Sequence, residues 1–488
     1  MKLDQYAAQA TRRLVALSGR SAAAQPAAAS PAGWDSRRIL IGLMVPMGMT
    51  VLNLSMFGVA LPAIRSGFAV DADQIAWLVT AYTLPFVLFM PLYGRLGDGL
   101  GKSRLFMVGI VVFSVGTVVS LFSLDLRMLM LGRVLQGIGT AGVNPLCIAL
   151  ITDLFPAAER GKALGTWSST GPATSMIGPF LGGFLVDHWG WRAMFIPGLI
   201  AAGVALYVMR GRLPASRTAA QPGFLRSFDW AGLILLSGAV IFFMFFLSSR
   251  PITGVAPLHD WRLLAITAAF VAAFYVWERR FSSPLIDLSI FTRHNFSRSS
   301  LAALTRMFMM SGEAFLIPLY FTDIYGLSAS QIGFVITLHA GSLLITVRLG
   351  GKLADRWQAR YPSLVGVGIQ IRALATFALL PADTPLAVAA LVLIVHGLGA
   401  GLSLAVLSQS AMSDIPQEQS GAAAGLYSMI RFAGSILGTT LGGVLLALTL
   451  ERSALPLDAY QVVFWFVAGV GVIGFVLATG IRARKTGK

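Results

Sequence analysis

Of 488 residues, 56% are hydrophobic and only 12% are charged, about half the ~25% charged content of a soluble domain. Too little polar surface remains to coat a water-soluble particle of this length, which excludes a soluble enzyme and a disordered chain and indicates repeated passage through a bilayer. The net charge of +16 needs another explanation than solubility, and the single cysteine, Cys147, excludes an internal disulfide or a cysteine metal cluster.

In chain order, residues 1–38 form a tail rich in Ala, Ser and Arg. It lacks the apolar core of a signal peptide and reads as a solvated tail, with a presequence or a surface-lying helix as alternatives. Stretches of about 20 apolar residues then recur, each long enough to cross the hydrocarbon layer as a helix. Six lie within 39–213, at 39–64, 74–94, 104–123, 127–150, 162–186 and 192–211. Two more, at 229–249 and 261–279, fall in a linker spanning 214–297. Six follow within 298–481, at 299–321, 328–350, 362–381, 385–409, 419–448 and 460–481, before a second tail at 482–488.

Fourteen spans put both tails on one side. That side collects 26 of the 37 Lys and Arg residues and the opposite side six, with five inside spans. The bias predicts a cell membrane protein with both termini cytoplasmic. The positive charge is then a topology signal facing anionic lipid. No basic stripe interleaves with aromatics in a soluble module, so no nucleic-acid partner is expected.

The fifth and thirteenth spans repeat one another. Gly161, Gly165, Ser168, Gly178, Gly182 and Gly183 return as Gly421, Gly425, Ser428, Gly438, Gly442 and Gly443, each shifted by 260. Gly94-Arg-Leu-Gly-Asp98 returns as Gly351-Lys-Leu-Ala-Asp355, shifted by 257. Two parallel six-helix halves flank an insertion of two helices, an arrangement that places a substrate site between the halves near the midplane.

Four motifs carry a family resemblance. Gly94 to Arg104, with Asp98 and Lys102, resembles the signature loop of the major facilitator superfamily. Arg133-Val-Leu-Gln136-Gly137 resembles its conserved-arginine motif. Gly171-Pro172 and Gly178-Pro179, with Gly182-Gly183, resemble its exporter motif, and Val59-Ala60-Leu61-Pro62 ends the first span. Fourteen spans, with Trp191-Arg192 opening the sixth, resemble the drug:proton antiporter branch. The resemblance implies an all-α integral membrane protein of major-facilitator fold, with two pseudo-symmetric six-helix bundles, two inserted helices and no enzymatic activity. It implies conformational roles for Gly94, Asp98, Lys102, Arg104, Asp355, Arg356, Gly171, Pro172, Gly178 and Pro179. Two departures stand out. Asn53 occupies a position where the branch commonly has Asp, and Gly99 replaces an Arg after Asp98. Gly101-Lys102-Ser103 ends like a phosphate loop, but Leu96 stands where that loop needs Gly. No nucleotide or other cofactor is expected.

An ionised group at mid-membrane costs at least ~3 kcal/mol, so each is a functional candidate. Among 21 acids only Glu313 falls deep in a span, which makes it the candidate proton carrier, with a structural buried pair as the alternative. Arg133 and Arg306 are the candidate cations that tune it. Arg306 lies seven residues earlier, ~10 Å along the axis, so a direct pair or a partner on another helix are both open. Asn53, Tyr82, Gln136, Asn144, Met310, Arg372, Tyr427 and Arg431 are candidate cavity residues. Five span arginines against one carboxylate favour anionic or neutral cargo over cations. His339 and His396 read as separate helix-to-helix hydrogen bonds or proton relays; they share no metal-ligand spacing, so no metal is expected. The expected activity is proton-coupled export of small amphipathic compounds by a monomer. The alternatives are a proton-independent facilitator or exchanger of an anionic metabolite, and a non-transporting sensor or scaffold.

Overall fold

The computed structural model describes residues 36–210, 229–280, 288–357, 360–416 and 419–482. Fourteen long helices are found among them: α1 (Ser36–Phe68), α2 (Ala72–Leu100), α3 (Lys102–Leu121), α4 (Leu126–Leu154), α5 (Ala157–Trp189), α6 (Trp191–Met209), α7 (Trp230–Leu247), α8 (Trp261–Arg280), α9 (His294–Tyr325), α10 (Ala329–Trp357), α11 (Arg360–Phe377), α12 (Leu386–Met412), α13 (Ser420–Leu450) and α14 (Pro456–Thr479). The expected tail 1–38 lies, up to residue 35, outside the described residues, as does most of 482–488.

Twelve of these helices are long and apolar enough to cross a membrane. The other two, α5 and α11, carry Ser, Thr and Gly at many positions or interrupt an apolar run with Gln370 and Arg372. Each is flanked by helices apolar enough to cross a membrane, α5 by α1 and α10, and α11 by α12 and α14. A helix screened in this way needs fewer apolar residues than one surrounded by lipid.

One sequence expectation changes. The stretch expected as a loop after the second span is helical to Leu100. The chain reverses at Gly101 alone, whose φ of 97° lies in a region that L side chains avoid. Its N–H bonds to the Gly97 carbonyl at 3.2 Å, so the backbone group freed by the turn is satisfied.

Helix packing repeats between the halves. In the first, α1 packs on α5 and α6, α4 on α2 and α3, and α3 on α6. In the second, α9 packs on α13 and α14, α12 on α10 and α11, and α11 on α14. The bundles meet through α5 on α10, α2 on α13 and α1 on α9, contacts that a twofold exchange of the halves maps onto themselves. The ends of α1 and α9 meet at Arg65 and Asp323 and the start of α9 meets the end of α14 at His294 and Gly480, so the first and last described helices begin and end on one face, here the tail face; the other is the far face.

The inserted helices α7 and α8 pack mainly on each other. Asp229 caps the N-terminus of α7 through the Gly232 N–H at 2.8 Å and accepts the Trp277 indole N–H of α8 at 2.7 Å. Phe242 and Phe270 stack between them. The Trp77 indole donates to Ser248 at 2.9 Å, fastening the insert to α2.

Candidate functional site

Each bundle holds a buried arginine that hydrogen-bonds across to neighbouring helices: Arg133 joins three and Arg306 two. In the first, Arg133 of α4 is fully buried. It donates to the Asn53 side-chain oxygen on α1 at 2.8 Å, to Gln136 Oε1 at 2.9 Å and to the Leu78 carbonyl of α2 at 3.3 Å. Phe57 and Tyr82 present their rings to the guanidinium at 3.8 and 4.4 Å. Gln136 passes the network to Thr117 of α3 at 3.1 Å. A cation out of water needs acceptors and aromatic faces at once, and the fork of Arg uses both.

The second bundle answers with the cation on the other partner. Arg306 of α9 donates to Ser403 Oγ at 2.9 Å and the Ala400 carbonyl at 2.8 Å, both on α12. Gln370 of α11 donates to Ser403 at 3.2 Å. The Arg306 guanidinium is therefore occupied on α12. The open question about its partner is resolved for another helix, and no Arg306–Glu313 pair forms among the described residues.

Glu313 of α9 is buried, one turn past Met309, and meets two histidines. His396 Nδ1 of α12 lies 4.0 Å from Glu313 Oε2, and 3.4 Å from His339 Nε2 of α10. The three side chains offer ligand-type atoms all within 4.8 Å of one another. This corrects the reading of the histidines as unrelated: residues 57 apart in sequence converge, and the cluster has a donor set able to hold a metal ion. The convergence depends on Gly397, where a Cβ would stand 2.6 Å from both the His339 ring and its carbonyl oxygen. Glu313 Oε2 and His396 Nε2 have no hydrogen-bond partner among the described residues.

The seam between the bundles is closed at the far face. Asp187 at the end of α5 accepts the backbone N–H groups of Ala329 at 3.0 Å and Ser330 at 2.8 Å, so it caps α10 of the opposite bundle. Arg65 at the end of α1 pairs with Asp323 of α9 at 2.6 Å, and Tyr460 of α14 donates to the same carboxylate at 2.7 Å. A Cβ on Gly183 would stand 2.7 and 2.8 Å from the Ala329 carbonyl carbon and Ser330 Cα; one on Gly333 would stand 2.9 Å from the Pro179 carbonyl carbon. Deeper in, Thr80 of α2 and Thr440 of α13 bond at 3.0 Å. Toward the tail face the same helices leave open space beside several glycines. At Gly161 and Gly165 of α5, Gly341 and Gly351 of α10, and Gly425 of α13, a Cβ would meet nothing within 4 Å.

The remaining expected residues distribute unevenly. Asn53, Tyr82 and Gln136 are sealed inside the first bundle around Arg133 and line no open cavity, a correction imposed by the acceptors that a buried guanidinium requires. Arg133 has all its hydrogen-bond partners in that bundle and does not reach Glu313. Arg372 is exposed on α11, not in the cavity. Asn144 and Met310 are half-buried, and Tyr427 is buried on α13. Arg431 is half-buried on the same helix with its guanidinium 4.3 Å above the Phe432 ring, which contacts Phe86 of α2 edge-on. Gly178 and Gly182 let α5 approach Ser55 and Met56 of α1, while Gly171 lies against Met47. Lys102 pairs with Asp153 at 2.7 Å within the first bundle, and Arg104 is exposed. The side chains of Asp98, Asp355 and Arg356 lie outside those described. Asp187, Asp323 and Tyr460 are seam residues that the sequence reading missed.

Comparison with known proteins agrees with this architecture. The model of the Major Facilitator Superfamily matches residues 43–439. The chain is 28% identical over 461 residues to the riboflavin transporter RibZ of Clostridioides difficile, covering 92% of this chain and 98% of that protein. It is 30% identical over 422 residues to the multidrug resistance protein Stp of Mycobacterium tuberculosis, covering 86% and 77%. Among solved structures, a bacterial homologue of the lysosomal transporter Spinster, described as inward-facing, superposes with a TM-score of 0.64 at 17% identity, covering 92% and 98%. A D-xylose-proton symporter gives 0.66 at 14% identity, covering 92% and 99%. These two likenesses concern the fold. The protein is thus a multi-pass membrane transporter and not an enzyme, and the chain belongs to the major facilitator superfamily, in its fourteen-helix drug:proton antiporter branch.

Proposed function

We propose that this protein exports small amphipathic compounds across the cell membrane in exchange for protons, by rocking its two bundles about the seam. The tail face is read as cytoplasmic, because the positive charge collects there. The conformation described is then inward-open. The observation that carries the reading is the seam itself, capped at the far face and with open space beside Gly161, Gly351 and Gly425 toward the tail face, with a buried carboxyl, Glu313, in the second bundle and, among the described residues, no cation hydrogen-bonded to it. Such a carboxyl costs least when neutral, and becomes charged only where water or a partner reaches it. That dependence on surroundings is what a proton carrier needs in an alternating cycle.

Cargo would enter from the tail face between α5, α10, α2 and α13, where Arg431, Phe432 and Tyr427 stand. A membrane potential supplies ~2.3 kcal/mol per charge per 100 mV, which supports roughly fifty-fold accumulation. The test is transport of riboflavin and of the cation ethidium in proteoliposomes, with an imposed or a collapsed pH gradient, in wild type and Glu313→Gln. Gradient-driven accumulation in wild type alone, with exchange preserved in the variant, supports the reading. Equal transport in all four conditions removes both the proton and its carrier.

A second reading keeps transport and omits the proton: a facilitator or exchanger of an anionic metabolite. It is favoured by Asn53, which gives Arg133 a neutral acceptor where an acid would supply a titratable one. Proton flux on adding cargo separates the two.

A further inference from the structure

We propose that Glu313, His339 and His396 form a binding site for one divalent transition-metal ion of the zinc class, built into the core of the second bundle. The site shares Glu313 with the proton-coupled reading above but does not rest on it, since an ion and a proton take the same carboxylate in turn.

The pseudo-symmetry of the chain supplies the first argument. In the first bundle, Arg133 sets its guanidinium among Phe57, Tyr82 and Gln136. The matched positions of the second bundle carry the trio. A shift of 260 takes Gln136-Gly137 to His396-Gly397, and a shift of 257 takes Tyr82 to His339. Phe57 stands five residues before Pro62, and Glu313 five before Pro318. The packing agrees: Gly137 lies against the Tyr82 backbone as Gly397 lies against that of His339. The shift of 260 takes Arg133 itself to Leu393. Arg306 does not stand in for it, because its guanidinium is held at Ala400 and Ser403, a turn or more beyond His396. The second bundle thus keeps the place of the cation and lines it with metal-ligand side chains, and among the described residues no Arg or Lys bonds to them.

The geometry supplies the second. Metal–ligand bonds of about 2.0–2.2 Å in a tetrahedral shell place the ligand atoms ~3.3–3.5 Å apart. His396 Nδ1 and His339 Nε2 are 3.4 Å apart. Glu313 Oε2 is 4.0 Å from His396 Nδ1, and the three ligand atoms all lie within 4.8 Å of one another. Glu313 therefore closes by at most about 1.5 Å, within reach of its side-chain torsions. The imidazole pair is preset by its helices. Ser342 and Thr346 of α10 donate to the Ile394 and Leu398 carbonyls of α12, both at 2.9 Å, on either side of His396. Neutral rings offer both facing nitrogens as lone pairs when His339 carries its hydrogen on Nδ1 and His396 on Nε2. All three side chains are more than nine-tenths buried, and Glu313 Oε2 has no hydrogen-bond partner among the described residues. Buried charges are paired or coordinate metals. Two imidazoles and one carboxylate suit Zn2+ and similar first-row ions, whereas Ca2+ and Mg2+ take oxygen ligands. Three protein ligands leave the fourth position of a tetrahedral ion to water or an anion.

The experiment measures Zn2+ binding to the purified, tag-free full chain by equilibrium dialysis, with no cargo or gradient, so its failure is distinct from failure of the export assay. The chain has five histidines. Replacing His188, His259 and His294 together by Asn leaves only His339 and His396. That protein should still bind one Zn2+ per chain, and its zinc X-ray absorption spectrum should show two imidazoles. In the same background, His396→Asn and Glu313→Gln should each weaken binding by more than about ten-fold, the least that loss of a supporting group costs a metal site. Absence of stoichiometric binding overturns the proposal. So does undiminished affinity in a folded His396→Asn protein, which marks an adventitious ion only. Should both site variants fail to fold, the spectrum decides alone, and fewer than two imidazoles overturns the proposal.

Discussion

Replacing Gly183 with alanine should push the protein from the described conformation toward the one open at the far face. The new Cβ would stand 2.7 Å from the Ala329 carbonyl carbon and 2.8 Å from Ser330 Cα, whereas ordinary contacts lie at 3.4–4 Å. Both neighbours are backbone atoms and cannot rotate away. Restoring ordinary contact from 2.7 to 3.4 Å separates the helices by at least ~0.7 Å, breaking the tight contact that Asp187 completes. Overpacking of this kind costs about 1–3 kcal/mol. The cost falls on the far-face-closed state alone, so it becomes a population shift of about 5- to 150-fold. The assay uses Thr80→Cys in a Cys147→Ser background, since Thr80 is buried in the seam against Thr440. Labelling by an impermeant maleimide added at the far face should accelerate by that factor in Gly183→Ala and in Gly333→Ala. Gly165→Ala and Gly425→Ala, where a Cβ meets nothing, should not accelerate it. A Gly183→Ala protein that remains folded and labels at the wild-type rate would refute the reasoning.

Further outcomes follow from the same geometry. Asp187→Ala removes two charge-assisted caps from α10, worth about 0.5–2 kcal/mol, and should raise Thr80→Cys labelling by up to about thirty-fold; no rise would show that the cap does not hold the seam. Asn53→Asp gives the buried guanidinium of Arg133 an ionic partner at the present 2.8 Å, so thermal stability should rise, the added charge-assisted bond being worth roughly 1.5–3 kcal/mol. A lower melting temperature in that variant would mean desolvation of the new carboxylate dominates. Arg372→Ala should leave transport of riboflavin and ethidium within about two-fold of wild type, because its side chain is exposed on α11 and rim substitutions of this kind are near neutral. A selective loss of the anionic or neutral probe would return Arg372 to the cargo path.

Much of the fold was legible in the sequence because lipid leaves few choices. Apolar runs mark helices, and Lys and Arg mark one face. The shift of 260 between the glycines of α5 and α13 announced the twofold relation, and the structure gives the reason for those glycines. Gly178 and Gly438 admit the neighbouring first helix of each half, Ser55 in one and Phe308 in the other. Helix ends were less legible: α2 runs to Leu100 because the glycines before Gly101 are compatible with helix, and only Gly101 has the backbone that turns it.

Glu313 stood out as a deep acid, but its partners did not. His339 and His396 sit on different helices, and only the packing of α10 against α12 at Gly397 reveals them; a histidine followed directly by glycine in a span was the available hint. Arg133 was legible as a motif, whereas its pairing with Asn53, 80 residues away, was not. Asp187 and Asp323 escaped notice because an acid at a helix end usually meets water. Their significance lies in what the opposite bundle presents: the free N–H groups of α10 and the guanidinium of Arg65.

The central claim is that the two bundles move as bodies about a seam that is closed at one face at a time. Spin-label distances measured across both faces of the same preparation test it most directly, with one pair at Trp189 and Phe334 and another at Lys162 and Arg348. On changing the pH or adding riboflavin, the account predicts that the far-face distance lengthens as the tail-face distance shortens. Distances that stay fixed under every condition, or that lengthen together, would contradict it.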